Sequence, residues 1–294
     1  MTRSPTWYDR QYNNRANIPE HPAILQDWFD SSVRARTDHP CLLDLRYGDG
    51  EAEALDVFLP GTGRPAPPGG APVLVYIHGG YWRALGKGDQ SFVAPPLARA
   101  GALVVLPGYA LAPRVGIDHI VLQIARAVAW TWRHAREHGG DPGRIVVAGH
   151  SAGGHLAAMM LCCRWSELAP DLPPGLVRGA LALSGLFDLE PLRHAPFLAP
   201  DLRLDEALAR KLSPAALPAP AGPLHALVGG DEKPEFQRQN RLIRRRWGAR
   251  AVPVCEAIPR RHHMSILRDL ADPSARAHRL ALSLLGLEAA SVSG

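Results

Sequence analysis

The sequence has few cysteines and no long apolar run. Its four cysteines form no Cys-x-x-Cys pair, and the adjacent Cys162 and Cys163 cannot bridge to each other without strain. This excludes a disulfide scaffold, and we expect buried, reduced thiols. No stretch approaches the roughly 20 apolar residues of a membrane span, and the first residues lack the apolar core of a signal peptide. We therefore expect a cytoplasmic protein without a membrane partner.

Lysine is also scarce, so the net charge of +5 rests on arginine. The densest basic run is Arg244, Arg245 and Arg246, which is followed by Trp247. Acidic residues are interspersed through the rest of the chain, which favours a solvated helix face over a nucleic-acid patch. We expect no nucleic-acid partner, and the sequence leaves a homodimer open.

Short apolar runs alternate with helical patterns along the 294 residues. The runs predict buried strands at 55–60, 73–77, 102–107, 144–149, 179–185, 224–230 and 251–258, and the periodicity predicts helices at 117–132, 234–249 and 278–287. This alternation is typical of a doubly wound α/β fold, a mostly parallel sheet with helices on both faces. We expect one domain over residues 1–294, with 55–60 as an antiparallel edge strand.

Two segments do not follow the alternation. Residues 1–40 carry several aromatic side chains in a polar setting, and residues 189–222 are rich in proline and leucine. A segment inserted after a strand's carboxyl end lies where α/β proteins bind ligands. We therefore expect both segments to be cap elements over a site, although packing around the core is an alternative.

The stretch Gly149-His150-Ser151-Ala152-Gly153 lies between a predicted strand and a predicted helix. This Gly-x-Ser-x-Gly pattern in this position is typical of a nucleophile elbow, where a strained turn tolerates only small neighbours. The turn also places Ser151 at a helix N-terminus, where free N–H groups favour developing negative charge. We predict that Ser151 is a catalytic nucleophile.

A serine hydroxyl needs a base, and the base needs an acid to orient it. After such an elbow the chain order is serine, acid, histidine. Asp231 directly follows the strand at 224–230 and is our predicted acid, with Glu232 and Asp188 as competitors. His262 and His263 follow the last predicted strand, and only one of them is expected to face the serine. No carboxylate or further histidine stands at metal-ligand spacing, so we expect no metal.

The stretch Tyr76–Gln90 contains the end of the strand at 73–77, and His-Gly-Gly comes directly after that strand. Consecutive glycines let backbone N–H groups turn toward a ligand, which is the second half of an oxyanion hole. The predicted donors are Gly79, Gly80, Tyr81 and Ala152. We expect His78 to be a structural hydrogen-bonding residue rather than a base.

Substrate-binding residues are harder to read from the sequence. Trp82 and Tyr81, with the aromatic N-terminal segment, could line a pocket for an aryl leaving group, but Trp82 fits the core equally well. We also assign His150, next to the predicted nucleophile, to substrate binding.

HGGYW, GHSAGGH, GYALAP and SGLFDLEPL together resemble the kynurenine formamidase branch of the α/β-hydrolase esterases. The resemblance runs from YNNR near residue 12 to the last histidines. GGDEKPEFQRQN resembles the acid loop of that family and supports Asp231. The family's terminal histidine is followed by an aromatic residue and Asp-Ile. His263 falls in that register, and the sequence departs from the pattern at Met264 and Ser265.

The resemblance implies a cofactor-free serine hydrolase that cleaves small carboxylic esters or aryl formamides. Ser151 would attack the carbonyl, His263 would move the proton, and Asp231 would orient the imidazole. A dedicated formamidase is the narrower alternative. A hydrolase-fold protein that only binds a ligand is a further alternative, but every position of the triad is filled.

Overall fold

The computed structural model describes residues 3–61 and 68–287. Eight strands form one sheet in the order β1-β2-β4-β3-β5-β6-β7-β8. The strands are β1 Cys41–Arg46, β2 Ala54–Phe58, β3 Ala71–Ile77, β4 Leu103–Pro107, β5 Gly140–His150, β6 Val177–Leu183, β7 Leu224–Gly229 and β8 Val254–Ile258. Strands β3 to β8 are parallel to one another, whereas β2 is antiparallel to both β1 and β4. The predicted connection after β2 falls partly on residues 62–67, outside the described part.

The helices cover both faces of this sheet and its carboxyl edge. They are α1 Pro5–Tyr12, α2 Asn14–Asn17, α3 His21–Asp38, α4 Ala94–Arg99, α5 Ile117–His134, α6 Ala152–Leu161, α7 Trp165–Leu168, α8 Ala199–Leu202, α9 Glu206–Lys211, α10 Pro234–Ala251, α11 Arg268–Ala271 and α12 Arg276–Leu285. Short 3₁₀ turns lie at Lys87–Val93, Ala135–His138, Glu190–His194, Pro214–Ala216 and Ser265–Leu267.

Two apolar clusters form the core, one on each face of the sheet. Successive side chains of a strand point to opposite faces, and in β3 Val73 and Val75 join one cluster while Leu74 and Tyr76 join the other. Helices α5 and α6 pack into the first cluster, and α4 and α12 into the second. This confirms the predicted α/β architecture, with parallel strands buried on both faces.

Two details of the predicted sheet are wrong. Strand β2 is antiparallel, as expected, but it is not the edge, because β1 pairs with its outer side. No strand was predicted at β1, whose apolar residues are interrupted by Asp44; most of its side chains are exposed, and Asp44 has a φ of 59° at an irregular position of the ladder. In addition, Ala251 still belongs to α10, so β8 begins three residues later than predicted.

The thiols are less buried than expected. All four cysteines are free, and each is partly exposed. Across residues 3–61 and 68–287, none of the helices combines the length and the apolar character that crossing a bilayer requires.

Candidate active site

Ser151 occupies a strained turn between β5 and α6. Its φ of 56° and ψ of −117° lie outside the regions that side chains prefer, and its backbone N–H donates to Leu183 O at 2.8 Å. Such backbone costs about 1–3 kcal/mol and persists only where the surrounding structure fixes it. The strand ends at His150 and the helix begins at Ala152, so Ser151 stands at the carboxyl edge of the sheet.

The glycines around the turn allow backbone segments to approach closely. A Cβ atom on Gly149 would lie 2.2 Å from Gly153 O, and one on Gly153 would lie 2.0 Å from Ile77 O. No side chain fits at either position without moving backbone. The small residues of the motif therefore let α6 start directly against the ends of β3 and β5.

Ser151 and His263 line the same cavity, whose volume is about 340 Å³. Its wall combines residues from the N-terminal segment, the loop after β3, the elbow, the segment 189–222 and the last histidine loop. These residues are Asn13, Asn14, Arg15, Leu25, Trp28, Gly80, Tyr81, Arg83, Ala84, Leu85, Gln90, His150, Ser151, Phe197, Asp201, His263 and Met264. Both segments that were expected to form caps thus contribute to the cavity.

The loop after β7 places Glu232, not Asp231, against His263. Glu232 Oε2 accepts from His263 Nδ1 at 2.8 Å, whereas Asp231 is exposed. Gly229 O accepts from Glu232 N at 3.1 Å, so Gly229 to Glu232 form a four-residue turn. Asp231 is a central residue of that turn and points outward, and Glu232 is the residue that returns to the sheet. The prediction of Asp231 as the histidine's partner is therefore wrong.

Three donors surround the Glu232 carboxylate, whose side chain is only 1% exposed. Oε1 accepts from Gly229 N at 2.7 Å and from the Ser184 hydroxyl, while Oε2 accepts from His263. A buried carboxylate is stable only when it is hydrogen-bonded or paired, and these contacts meet that need. Sequence reasoning missed Ser184, although it follows the apolar run of β6 as Ser151 follows β5.

The contact with Glu232 decides which nitrogen of His263 carries a proton. A carboxylate accepts hydrogen bonds, so Nδ1 is the donor and Nε2 of the neutral ring keeps its lone pair. Phe236 and His150 pack beside the ring, with centroids 4.5 and 4.8 Å from that of His263. The imidazole is thus held in the tautomer that can accept a proton.

His262 faces away from this arrangement. Its backbone N–H donates to Ser265 Oγ at 2.9 Å, and its Nδ1 accepts from the N–H groups of Met264 and Ser265, each at 3.3 Å. Its Nε2 lies 3.7 Å from Glu20 Oε1. His262 therefore stabilises the turn that carries His263, which agrees with the register expected for the pair.

His150 lines the cavity but also supports the histidine loop. Its Nε2 donates to the backbone oxygen of His263 at 2.7 Å. Burial, reinforced by the nearby His263, lowers the pKa of His150 to about 3, so its ring stays neutral. The expected substrate contact is compatible with its place in the wall, and the hydrogen bond adds a structural role.

The loop after β3 contributes fewer oxyanion donors than expected. The Gly79 N–H donates to Gln90 Oε1 at 3.4 Å, so the structure disfavours Gly79 as a donor to a ligand. Within residues 3–61 and 68–287, the N–H groups of Gly80, Tyr81 and Ala152 have no hydrogen-bond acceptor. Gly80 and Tyr81 also line the cavity, and Ala152 opens α6.

Three consecutive residues of this loop have backbone conformations that are rare in proteins. Gly80 has a φ of 112°, and Tyr81 and Trp82 have φ values of 52° and 58°. A Cβ on Gly80 would lie 2.1 Å from Ala84 O, so only glycine fits there. The strained conformation is fixed partly by the Tyr81 hydroxyl, which donates to Tyr12 O at 2.6 Å.

Trp82 belongs to the core and not to the cavity wall. It is fully buried, and its ring packs edge-on against His155 with the centroids 5.0 Å apart. Of the two alternatives for Trp82, the structure supports packing, so its assignment to substrate binding is wrong. Phe197 and Trp28 supply the large aromatic rings that do line the cavity.

Two other polar residues have structural contacts. His78 stacks on Tyr109 with the centroids 4.1 Å apart, and burial lowers its pKa to about 4. Asp188 accepts from Glu190 N at 3.3 Å and pairs with Arg238 at 3.0 Å, but the residue at the N-cap of the turn Glu190–His194 is Leu189, so Asp188 is not the expected cap. In the part of the chain that the structure describes, no group of three or more His, Cys, Asp or Glu side chains could hold a metal ion.

Comparison with known proteins agrees with this geometry. The family model described as "alpha/beta hydrolase fold" matches residues 74–216. Kynurenine formamidase of Danio rerio is 32% identical over 96% of this chain and 94% of its own length. A solved structure from Silicibacter sp. shares 30% identity and superposes with a TM-score of 0.79 over 95% of this chain and 97% of the other. An esterase of Pyrobaculum calidifontis, 20% identical with a TM-score of 0.65 over 92% and 94%, shares the fold.

The fold and the elbow thus define an α/β hydrolase. More closely, this chain belongs to the hydrolase family whose members include kynurenine formamidase, and the relatives match it over nearly the whole length of both chains.

Proposed function

We propose that this protein is a serine hydrolase that cleaves small carboxylic esters and aryl formamides through an acyl-enzyme. One observation carries the proposal. A serine on a strained elbow shares a cavity with a histidine whose Nδ1 is held by a buried carboxylate. Removal of the proton from a serine hydroxyl requires this order of groups.

The proposed reaction begins with attack of Ser151 Oγ on the substrate carbonyl. His263 Nε2 takes the hydroxyl proton and passes it to the leaving amine or alcohol. Glu232 keeps the ring in the reactive tautomer and stabilises the imidazolium that forms. Water then attacks the acyl-enzyme with His263 again as base, which releases the acid.

The negative charge of the tetrahedral intermediate falls on the carbonyl oxygen. The N–H groups of Gly80, Tyr81 and Ala152 are proposed to receive it. Gly80 and Tyr81 line the same cavity as Ser151, Ala152 follows Ser151 directly, and all three N–H groups are free of other acceptors within the described residues. The loss of one such donor typically costs about 3 kcal/mol of transition-state stabilisation. The positive end of α6 adds to the same field.

The contacts of the two irregular segments with the loop after β3 support a cap role. The Arg83 guanidinium donates to Phe197 O at 2.6 Å and pairs with Asp201, while Tyr81 binds Tyr12 O. We propose that residues 1–40 and 189–222 close the cavity and select the leaving group.

The four free thiols also fit the reducing conditions of the cytoplasm.

The narrower candidate is a dedicated kynurenine formamidase, and the nearly full-length match to two fish proteins of that name favours it. A comparison of kcat/KM for N-formylkynurenine with kcat/KM for p-nitrophenyl acetate and butyrate tests both levels. We expect turnover of the esters and of the formamide. Turnover of the esters without turnover of the formamide would contradict the formamidase function. The absence of turnover on all three would contradict the hydrolase proposal.

A further inference from the structure

A second serine elbow lies beside the first. Ser151 and Ser184 each follow the end of a strand, β5 and β6, and they have φ values of 56° and 52°. Each backbone N–H donates to the next strand, Ser151 N to Leu183 O at 2.8 Å and Ser184 N to Leu227 O at 2.7 Å. Non-glycine residues adopt this backbone rarely and mainly at functional sites. The repeated strain places two serine side chains at one edge of the sheet.

The two hydroxyls have different surroundings. Ser151 lines the cavity, whereas Ser184 is 1% exposed and donates to Glu232 Oε1. The Gly229 N–H binds that same oxygen at 2.7 Å, so both donors hold Oε1 and leave Oε2 for His263. Ser184 thus acts on the carboxylate and has no access to substrate.

We propose that Ser184 is a positioning residue, which fixes the Glu232 carboxylate so that Oε2 meets His263. The proposal rests on the proposed function, in which Glu232 orients the base. A glutamate side chain has one more rotatable bond than an aspartate, so a single backbone N–H leaves its carboxylate freer to turn. The Ser184 hydroxyl supplies the second anchor.

Ser184→Ala removes the hydroxyl and keeps the backbone. Held by one donor fewer, the carboxylate would turn away from Nδ1 more often and stabilise the imidazolium less, so the pKa of His263 should fall. The acid limb of kcat/KM should move to lower pH in the same direction. We expect kcat/KM on p-nitrophenyl acetate to fall by about tenfold, as for the loss of a hydrogen bond to a charged group.

The other titratable groups around the pair do not obscure this result. His150 packs on His263, and burial holds the pKa of its ring at about 3. Tyr81 lies near Glu232, and burial raises the pKa of its phenol well above the ordinary value. Both side chains stay neutral throughout the pH range in which the imidazole titrates.

Two further variants separate positioning from a purely structural role. Thr131→Val removes another buried hydroxyl, which donates to Ala127 O at 2.8 Å within α5, away from the carboxylate. It should leave the pKa of His263 and the acid limb unchanged. Ser184→Gly adopts the positive φ without strain, so it tests the hydroxyl even if Ser184→Ala folds poorly.

The deciding measurement is an NMR titration of the His263 ring in the wild type, Ser184→Ala, Ser184→Gly and Thr131→Val. A lowered pKa in the two Ser184 variants alone supports the proposal, and an unchanged or raised pKa overturns it. This readout needs no turnover, so an inactive wild type would contradict the proposed function without deciding the role of Ser184.

A double-mutant cycle gives the second readout. In the Glu232→Gln background, Ser184→Ala should change kcat/KM by less than about twofold, because Ser184 acts only through that carboxylate. A full tenfold loss in this background would mean that Ser184 acts by another route, and the proposal would fail.

Discussion

Ser151→Ala should lower kcat for p-nitrophenyl acetate by at least about 10⁴-fold, because it removes the atom that forms the acyl-enzyme. The cavity, the oxyanion donors and the His263–Glu232 pair all remain. Any residual rate would therefore be that of a water molecule activated by His263. The measurement is steady-state hydrolysis, followed by the release of p-nitrophenolate.

The fold of this variant should survive. Alanine tolerates the φ of 56° about as well as serine does, and the side chain shrinks by one atom. Its circular dichroism and Tm should match those of the wild type, and Thr131→Val, which removes a buried hydroxyl elsewhere, should retain activity. A folded Ser151→Ala protein with substantial turnover would mean that another residue is the nucleophile.

Glu232→Gln should lower kcat by about 10³- to 10⁴-fold, the range seen when the acid of such a triad becomes an amide. The amide can present its N–H₂ group to Nδ1 of His263, which puts the ring proton on Nε2. His263 would then offer a donor where Ser151 needs an acceptor. The shape of the side chain is preserved, so the effect reports chemistry more than packing.

Asp231→Asn is the matched control for this change. Asp231 is adjacent in sequence, also acidic and exposed at the tip of the turn, and the same acid-to-amide change there should alter kcat by less than about twofold. The pair of variants separates the two assignments that the sequence left in competition. A large loss of kcat in Asp231→Asn, together with a small loss of kcat in Glu232→Gln, would mean that Asp231 is the acid of the triad, contrary to the structure.

The sequence predicted the architecture because the buried parallel strands of an α/β fold have a strong local signature. The apolar runs at β3 to β7 are bounded by glycine or proline, and those at β3, β4 and β7 are buried along their whole length. Strand β1 has only a short apolar stretch that Asp44 interrupts, and most of its side chains meet solvent at the outer edge of the sheet. Its place in the sheet depends on pairing with β2, which no local pattern encodes.

The elbow was predictable for the same local reason. Its glycines are explained by contacts within a few residues of Ser151 and with the neighbouring strand end. The choice between Asp231 and Glu232 was not predictable from the sequence, because it depends on which residue of a tight turn faces inward. That direction is set by the hydrogen bond from Glu232 N to Gly229 O and by the place of His263 in space.

Trp82 and Gly79 illustrate a second limit of prediction from the sequence. Both belong to a motif whose function is readable, but the role of each atom depends on neighbours far away in sequence. Trp82 turns into the core beside His155, and the Gly79 N–H binds Gln90. For Ser184 the sequence shows only a serine at the end of a strand. In the structure its backbone is strained and its hydroxyl binds Glu232.

In the proposed mechanism, Ser151 is the residue that carries the acyl group. Diethyl p-nitrophenyl phosphate reacts with activated serines, and the product can be weighed as the intact protein and mapped by peptide mass spectrometry. We predict one diethylphosphoryl group per chain, located on the peptide that contains Ser151, with activity lost in proportion. Ser151→Ala should stay unlabelled. Inactivation with the label on another residue, or full activity after complete labelling of Ser151, would contradict the account.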